Sequence, residues 1–528
     1  MGWPVTLAFL QRHQEALLRK TAMFIFFLIA LVPLGFLGAE LLHSSAWARF
    51  FSTLAKPLIQ LLFLQSLGLA ISVTLLTLLI GIPLGILLAK TDIPGKHWLM
   101  WLQTFPMFIS PFLLVLGWFY LFGKQGIWGT EWTSNLLFSP VGAVFTLTMA
   151  FVPFVTSLIS IGLHHVDPNL EDAALVVAKP WRMLVHVSLP LVSPMILLAA
   201  MVVFSLSFSE LGVPMFLRVP TYPAAIFARL GGLQYEPGEA FAMVLPLLGI
   251  ALLLLALERY WVNKGSLAML GFGKQRQVLL PLGSWRGSSA VVIWLVMGIS
   301  LTPIAALMIR ASLGDGWYQA TNRIGHSLWN SLSSAGMAAS GIVALGVILG
   351  HAHARQRSGS ALTDSLGVLS FLVPASVLGV GLMAAWNHSQ TQWLYGSMAI
   401  MVVGYMARYS VVGFRIIAAA VAQSSIRLEE TAAAFGANFW RQLRFIILPL
   451  HSRKIVAAWL LTFIFCLRDL ETVILFYPAG REPLLVKIFT LEANGSASMI
   501  AALSMFQIGM TAGILSTFIC LLREKPRS

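Results

Sequence analysis

Twelve predominantly apolar stretches, each close to the length of about 20 residues that a helix needs to cross a bilayer, alternate along the chain with short polar segments. In the first half they fall at 21–42, 66–89, 98–122, 141–163, 191–209 and 241–261. In the second half they fall at 290–310, 328–350, 361–385, 393–415, 454–475 and 499–522. The pattern predicts an all-α, polytopic membrane protein. Composition agrees: 58% of the 528 residues are hydrophobic, 10% are charged, and the mean hydropathy is +0.84. A soluble domain is about a quarter charged, so soluble enzymes and disordered chains are excluded. Cys466 and Cys520 lie in apolar runs and imply no disulfide framework.

The net charge is +14, from 34 basic and 20 acidic residues. With the N-terminus inside, most of the basic residues fall in cytoplasmic segments, which predicts that both termini are cytoplasmic. That distribution accounts for the charge without nucleic acid. Ala46-Trp47-Ala48 has the form of a signal-peptide cleavage site. The apolar run before it is longer than the roughly 7–15 residues of such a signal, so the first span is read as retained.

The chain nearly repeats itself. Glu171, Ala173, Ala174, Ala178, Trp181, Arg182 and Leu189-Pro190-Leu191 match Glu430, Ala432, Ala433, Ala437, Trp440, Arg441 and Leu448-Pro449-Leu450, all in one register. Earlier, Gly81, Gly85, Ala89 and Lys90 answer to Gly346, Gly350, Ala354 and Arg355. A duplicated six-span unit, with both copies in the same orientation, predicts units at 1–262 and 290–528. The Gly-rich stretch 263–289 is read as a cytoplasmic linker.

The repeated segments are the loops 164–190 and 416–449. In the second, Glu429 and Glu430 precede an alanine-rich run. Acidic residues there favour a helix start, and the alanines leave a face with little bulk, able to lie in a groove on another protein. Gly436 can take a positive φ and end that helix. Arg441 and Arg444 would lie on the inner surface, and Pro449 suits the first turn of the next span.

These loops resemble the "EAA" loops of ATP-binding-cassette importer permeases. Glu430, Ala432, Gly436, Ala437, Leu448 and Pro449 match in the second loop; Glu171, Ala173, Ala178, Leu189 and Pro190 match in the first. Val177 stands where the family has glycine. The fusion of two six-span units, with segments 209–214 and 467–472, is similar to the iron(III) and thiamine branch. The resemblance implies a bacterial inner-membrane permease working by alternating access, with two copies of a cytoplasmic ATPase and a periplasmic solute-binding protein. Glu171, Ala173, Ala178, Glu430, Ala432, Gly436 and Ala437 would form the ATPase-docking sites. ATP and Mg would bind the partner ATPase, leaving this chain without a cofactor or enzymatic activity. The sequence is consistent with that division, since Gly95-Lys96-His97, Gly123-Lys124-Gln125 and Gly273-Lys274-Gln275 do not meet the phosphate-loop pattern.

Ionisable residues inside spans are functional candidates. Glu210 and Asp469 hold equivalent positions near the outer ends of the fifth and eleventh spans and would line the mouth of a pathway or stabilise a gate. Arg468 and Glu471, three apart on one helix, can pair. Arg408, within the tenth span, is expected to face the bundle interior and to partner Asp469 or Glu471. The pairs His164-His165 and His351/His353 have no ligand companions at metal spacing, so no metal site is expected. Iron(III) or a related small polar solute is the leading cargo, with thiamine or a phosphonate as alternatives. An ion-driven secondary transporter is the rival class; it leaves the duplicated loops without a purpose.

Overall fold

The computed structural model describes residues 3–40, 44–231, 237–262 and 280–522. Most of the expected linker, 263–279, lies outside the described residues. The principal helices of the first half are α1 (Trp3–Glu40), α2 (Pro57–Lys90), α3 (Lys96–Thr104), α4 (Pro111–Phe122), α5 (Pro140–His164), α6 (Pro168–Val177), α7 (Leu189–Ser209) and α8 (Pro237–Val262). Those of the second are α9 (Arg286–Ala311), α10 (Ser327–Ala354), α11 (Ser360–Leu372), α12 (Ala375–Trp386), α13 (Met398–Ala422), α14 (Arg427–Ala434), α15 (Leu448–Arg468) and α16 (Ala497–Leu522). No strand occurs among the described residues.

Among the described residues, ten helices are long and apolar enough to cross a membrane, and twelve spans result if each of two bent pairs counts as one. Those pairs correct the sequence reading, which takes spans three and nine as unbroken. Trp98–Phe108 meets Pro111–Phe122 at 100°, and Ser360–Leu372 meets Ala375–Trp386 at 107°. Each break falls beside a proline. Ser110, before Pro111, and Val373, before Pro374, both have extended backbones, because a proline's ring crowds the preceding residue out of the helical region.

The spans are apolar on both faces. On α2, Ile59, Leu62, Leu69 and Val73 are buried, while Leu58, Leu61, Leu75 and Leu79 are exposed. A helix with no polar stripe has no face for water and belongs in lipid. The repeated glycines have a packing cause. A Cβ on Gly81 would meet Val155 at 2.7 Å, and one on Gly350 would meet the Phe414 carbonyl oxygen at 2.7 Å. Their absence lets α2 approach α5, and α10 approach α13, backbone to backbone.

Two compact units form. One comprises Phe50–Arg323 and Ile488–Ile508; the other comprises Met1–Arg49, Ile324–Lys487 and Gly509–Ser528. Within the former, α9 packs on α4; within the latter, α1 packs on α12. Packing units and sequence repeats therefore differ in membership, since the leading helix of each half joins the unit built mainly from the other half.

Candidate functional site

The repeated loops fold as short helices held against their own units. The first, α6, begins at Asp167, whose carboxylate accepts the Asn169 N–H at 2.9 Å, with Pro168 in the first turn. Both are favoured helix-start choices. It ends at Ala178, which is extended ahead of Lys179 and Pro180. No left-handed residue is needed there, so Val177 is accommodated as the last helical residue, 86% exposed.

The second, α14, ends differently. Gly436 has φ +82°, the Gly436 N–H reaches the Ala433 carbonyl at 2.9 Å, and the Ala437 N–H reaches Ala432 at 3.0 Å. Those two bonds form a Schellman motif, which favours glycine at its left-handed position. After each loop the chain makes one π-helical turn, Leu184–Ser188 and Leu443–Ile447, and enters the next span. Pro190 and Pro449 fall in the first turn beyond it, where a missing N–H is tolerated.

The acidic residues of the loops point in different directions. Glu171 is fully buried. One of its oxygens lies 2.7 Å from Lys90 Nζ, and the other accepts the Ser188 hydroxyl at 2.7 Å. Glu430, its partner by sequence, is exposed. The inward carboxylate of the second loop is Glu429, which sits 2.6 Å from Arg355 Nη2 and 2.9 Å from His351 Nε2. Burial alone would raise the Glu429 carboxyl, but the hydrogen bonds from His351 and Arg355 outweigh it and hold it below the usual carboxylate range. Lys90 and Arg355 were legible only as a repeated basic pair; nothing in the sequence tied them to the loops, nor Ser188 and His351.

Each loop also displays apolar side chains. Trp181 is 70% and Trp440 60% exposed, in equivalent places, and Phe435 is 89% exposed. Val176, Leu428 and Phe445 are exposed beside them. Large apolar groups clustered on a loop mark a contact surface. Ala173 and Ala432 lie within α6 and α14, and Ala178 and Ala437 just beyond their ends.

The membrane carboxylates Glu210 and Asp469 are buried, and each serves its own backbone. Glu210 accepts the Val213 N–H at 3.2 Å, and Asp469 the Thr472 N–H at 3.0 Å. Around Asp469 the second half adds a polar chain. Tyr409 donates to Asp469 at 3.0 Å, and the Thr472 hydroxyl also donates to it. Arg408 donates to Thr472 at 2.9 Å and to Glu471 at 3.3 Å. Arg408, on α13, thus faces the interior and pairs with Glu471 in the turn beyond α15. That helix ends at Arg468, so Arg468 and Glu471 do not share one helix as the sequence reading has it, and the Arg468 guanidinium lies 5.7 Å from the Phe465 ring centroid. The corresponding residues of the first half, Met149-Ala150-Phe151 and Gly212-Val213, carry no charge. Among the described residues, no group of three or more His, Cys, Asp or Glu is placed to hold a metal ion.

Residues 81–261 match the family described as binding-protein-dependent transport system inner membrane component. The molybdenum transport system permease protein ModB of Escherichia coli is 30% identical over 210 residues, covering 37% of this chain and 90% of that protein. The ferric transport system permease protein FbpB 1 of Haemophilus influenzae is 23% identical over 409 residues, covering 71% of this chain and 63% of its own length. A 2-aminoethylphosphonate transport system permease protein, PhnV of Salmonella typhimurium, is 29% identical over 139 residues, covering 26% of this chain and 52% of its own. The chain thus spans less than two thirds of the length of the ferric and phosphonate relatives.

Proposed function

The chain belongs to the binding-protein-dependent transport system inner membrane components, and on that premise we propose that it is the permease of an ATP-driven importer. Its sequence halves, 1–262 and 290–528, act as the two permease units, with both termini and both loops on the cytoplasmic side. Two copies of an ATP-binding-cassette ATPase, holding ATP and Mg, engage α6 and α14, and a periplasmic binding protein delivers the solute to the opposite face. Nucleotide-driven closure of the ATPases then switches the path between outward and inward access.

The observation that carries this reading is the pair of equivalent loop helices, each edged by exposed apolar residues, with Trp181 and Trp440 in matching places. Glu210, Asp469, Arg408, Arg468 and Glu471 are assigned to stabilising a gate, because the buried carboxylates are already engaged by backbone and neighbouring side chains. Iron(III) is the proposed solute, supported by the length of the match to the ferric relative.

The test is uptake of labelled iron(III) into liposomes holding this chain, its ATPase and its binding protein. Uptake should require ATP and the ATPase. Uptake driven by an ion gradient with no ATPase present would replace this reading with a secondary transporter. ATP-dependent uptake of labelled thiamine or 2-aminoethylphosphonate, with no uptake of labelled iron, would reassign the solute and leave the mechanism intact.

A further inference from the structure

Lys90 ends α2 and Glu171 lies in α6, yet their charged atoms meet at 2.7 Å with only 3% and 1% of the side chains exposed. The second oxygen of Glu171 takes the Ser188 hydroxyl, so one carboxylate joins the second span, the loop helix and the π turn that opens the fifth span. The same end of α2 is held again by the Leu280 N–H, which donates to the Lys90 carbonyl at 2.7 Å.

The other unit has the same arrangement in different residues. Glu429 of α14 joins Arg355 and His351 at the end of α10. Arg355 also donates to the Ser424 carbonyl at 3.2 Å and hydroxyl at 3.1 Å, after α13, and His451 of α15 reaches that hydroxyl at 3.3 Å. Lys, Glu and Ser in one unit are replaced by Arg, Glu and His in the other. The attachment is common to both; the side chains that make it are not.

Buried ion pairs are weak contributors to net stability because desolvation opposes the attraction. They are directional, however, and direction matters here. A short helix tied to its unit only through its two backbone ends can roll about its own axis. A third attachment, off that axis, prevents the roll.

We propose that Lys90 and Arg355 are positioning residues of the transport cycle, each locking a loop helix to the second span of its half so that a push on the helix displaces the span instead of rolling the helix. The proposal rests on the reading of these loops as ATPase contacts. Because α2 and α10 pack on α5 and α13 through close glycine contacts, a displacement of either passes directly into the bundle.

The experiment uses the complete complex with ATPase and binding protein in liposomes, recording ATP hydrolysed and labelled iron(III) taken up by the same preparation. Lys90→Met should leave ATPase co-purification intact and raise ATP consumed per solute about tenfold, within the range that single contacts in coupling chains supply. Lys90→Arg, which keeps the charge, should stay within about twofold of the unsubstituted ratio. Arg355→Met, at the less sealed site, should also raise the ratio, and it carries the test if Lys90→Met fails to accumulate. An unchanged ratio in both Met variants, or an equal fall of hydrolysis and uptake, would overturn the proposal. An unsubstituted complex that neither binds ATPase nor shows ATP-dependent uptake defeats the loop reading instead, and the two failures are distinguishable.

Discussion

Gly117 of α4 lies against the backbone of Pro303 in α9: a Cβ on the glycine would come 2.2 Å from the Pro303 carbonyl oxygen. In the other unit Gly381 of α12 stands in the same relation to Pro33 of α1, at 2.7 Å. The leading helix of each half is therefore seated by a glycine on the second piece of a bent span. The obstructing atom is backbone on both occasions, so it cannot swing aside.

Gly117→Leu should accordingly destabilise by about 1–3 kcal/mol or more, the usual penalty for overfilling a packed contact. Gly68→Ala makes the control, since nothing lies within 4 Å of its added Cβ. Thermal unfolding in detergent, followed by tryptophan fluorescence, should show a clear drop in midpoint for the first and little change for the second. Equal midpoints would mean that α9 is not seated at Pro303.

The Arg408 network gives a ranked series. Tyr409→Phe removes one neutral donor from Asp469 and should destabilise by about 0.5–1.5 kcal/mol. Arg408→Met removes the buried guanidinium that joins Thr472 to Glu471 and should destabilise by about 3–5 kcal/mol. Arg408→Lys should recover only part of that, because an ammonium cannot reproduce a fork spanning Thr472 and Glu471. Unfolding midpoints that fail to follow this order would remove the network as the tie between α13 and the end of α15.

Much of this was legible in the residues. Apolar runs marked the membrane helices, and the repeat marked the two loops together with the glycine that closes the second. Arg408 announced an interior partner by standing alone in an apolar run, and Glu471 fills that role. The bends at Ser110 and Val373 were visible as pre-proline residues, but a hydropathy window averages across such a point and reads one span. The inward turn of Glu429 was not legible. Residues 429 and 430 are neighbours on one helical turn, and which of them reaches the base depends on where the Arg355 fork and His351 lie in space. The exchange of α1 and α9 between units was hidden for a similar reason, since Gly117 and Pro303 are joined by a contact and by no pattern in the chain.

Acid should loosen the second loop. The Glu429 carboxyl is depressed below its ordinary value of 4.5. Its contribution is therefore fully present above that pH and lost as the pH falls through the lower, folded value. The protection of the α14 amides, taken relative to their intrinsic exchange at each pH, should fall in that acid window and remain steady between neutrality and pH 5. In Glu429→Gln the amides should exchange faster at neutral pH, with the acid-dependent step gone. Persistence of the step in that variant would assign it to another group.

The exposed aromatic residues of the loops separate contact from fold. Phe435 and Trp440 are mostly solvent-exposed, so Phe435→Ser and Trp440→Ala should leave the unfolding midpoint of the isolated chain within about 0.5 kcal/mol, as is usual for surface changes. Buried in an interface, the same side chains become anchors, whose truncation commonly costs about 2 kcal/mol or more. Trp440→Ala should thus weaken ATPase binding by about thirtyfold, 1.4 kcal/mol being about tenfold, and Trp181→Ala should do so by a comparable factor at the other loop. Titration of the purified ATPase onto nanodisc-embedded permease measures both. Affinity that survives the double variant would move the nucleotide-driven contact away from these two tryptophans, whereas loss of affinity with an unchanged unfolding midpoint places it on them.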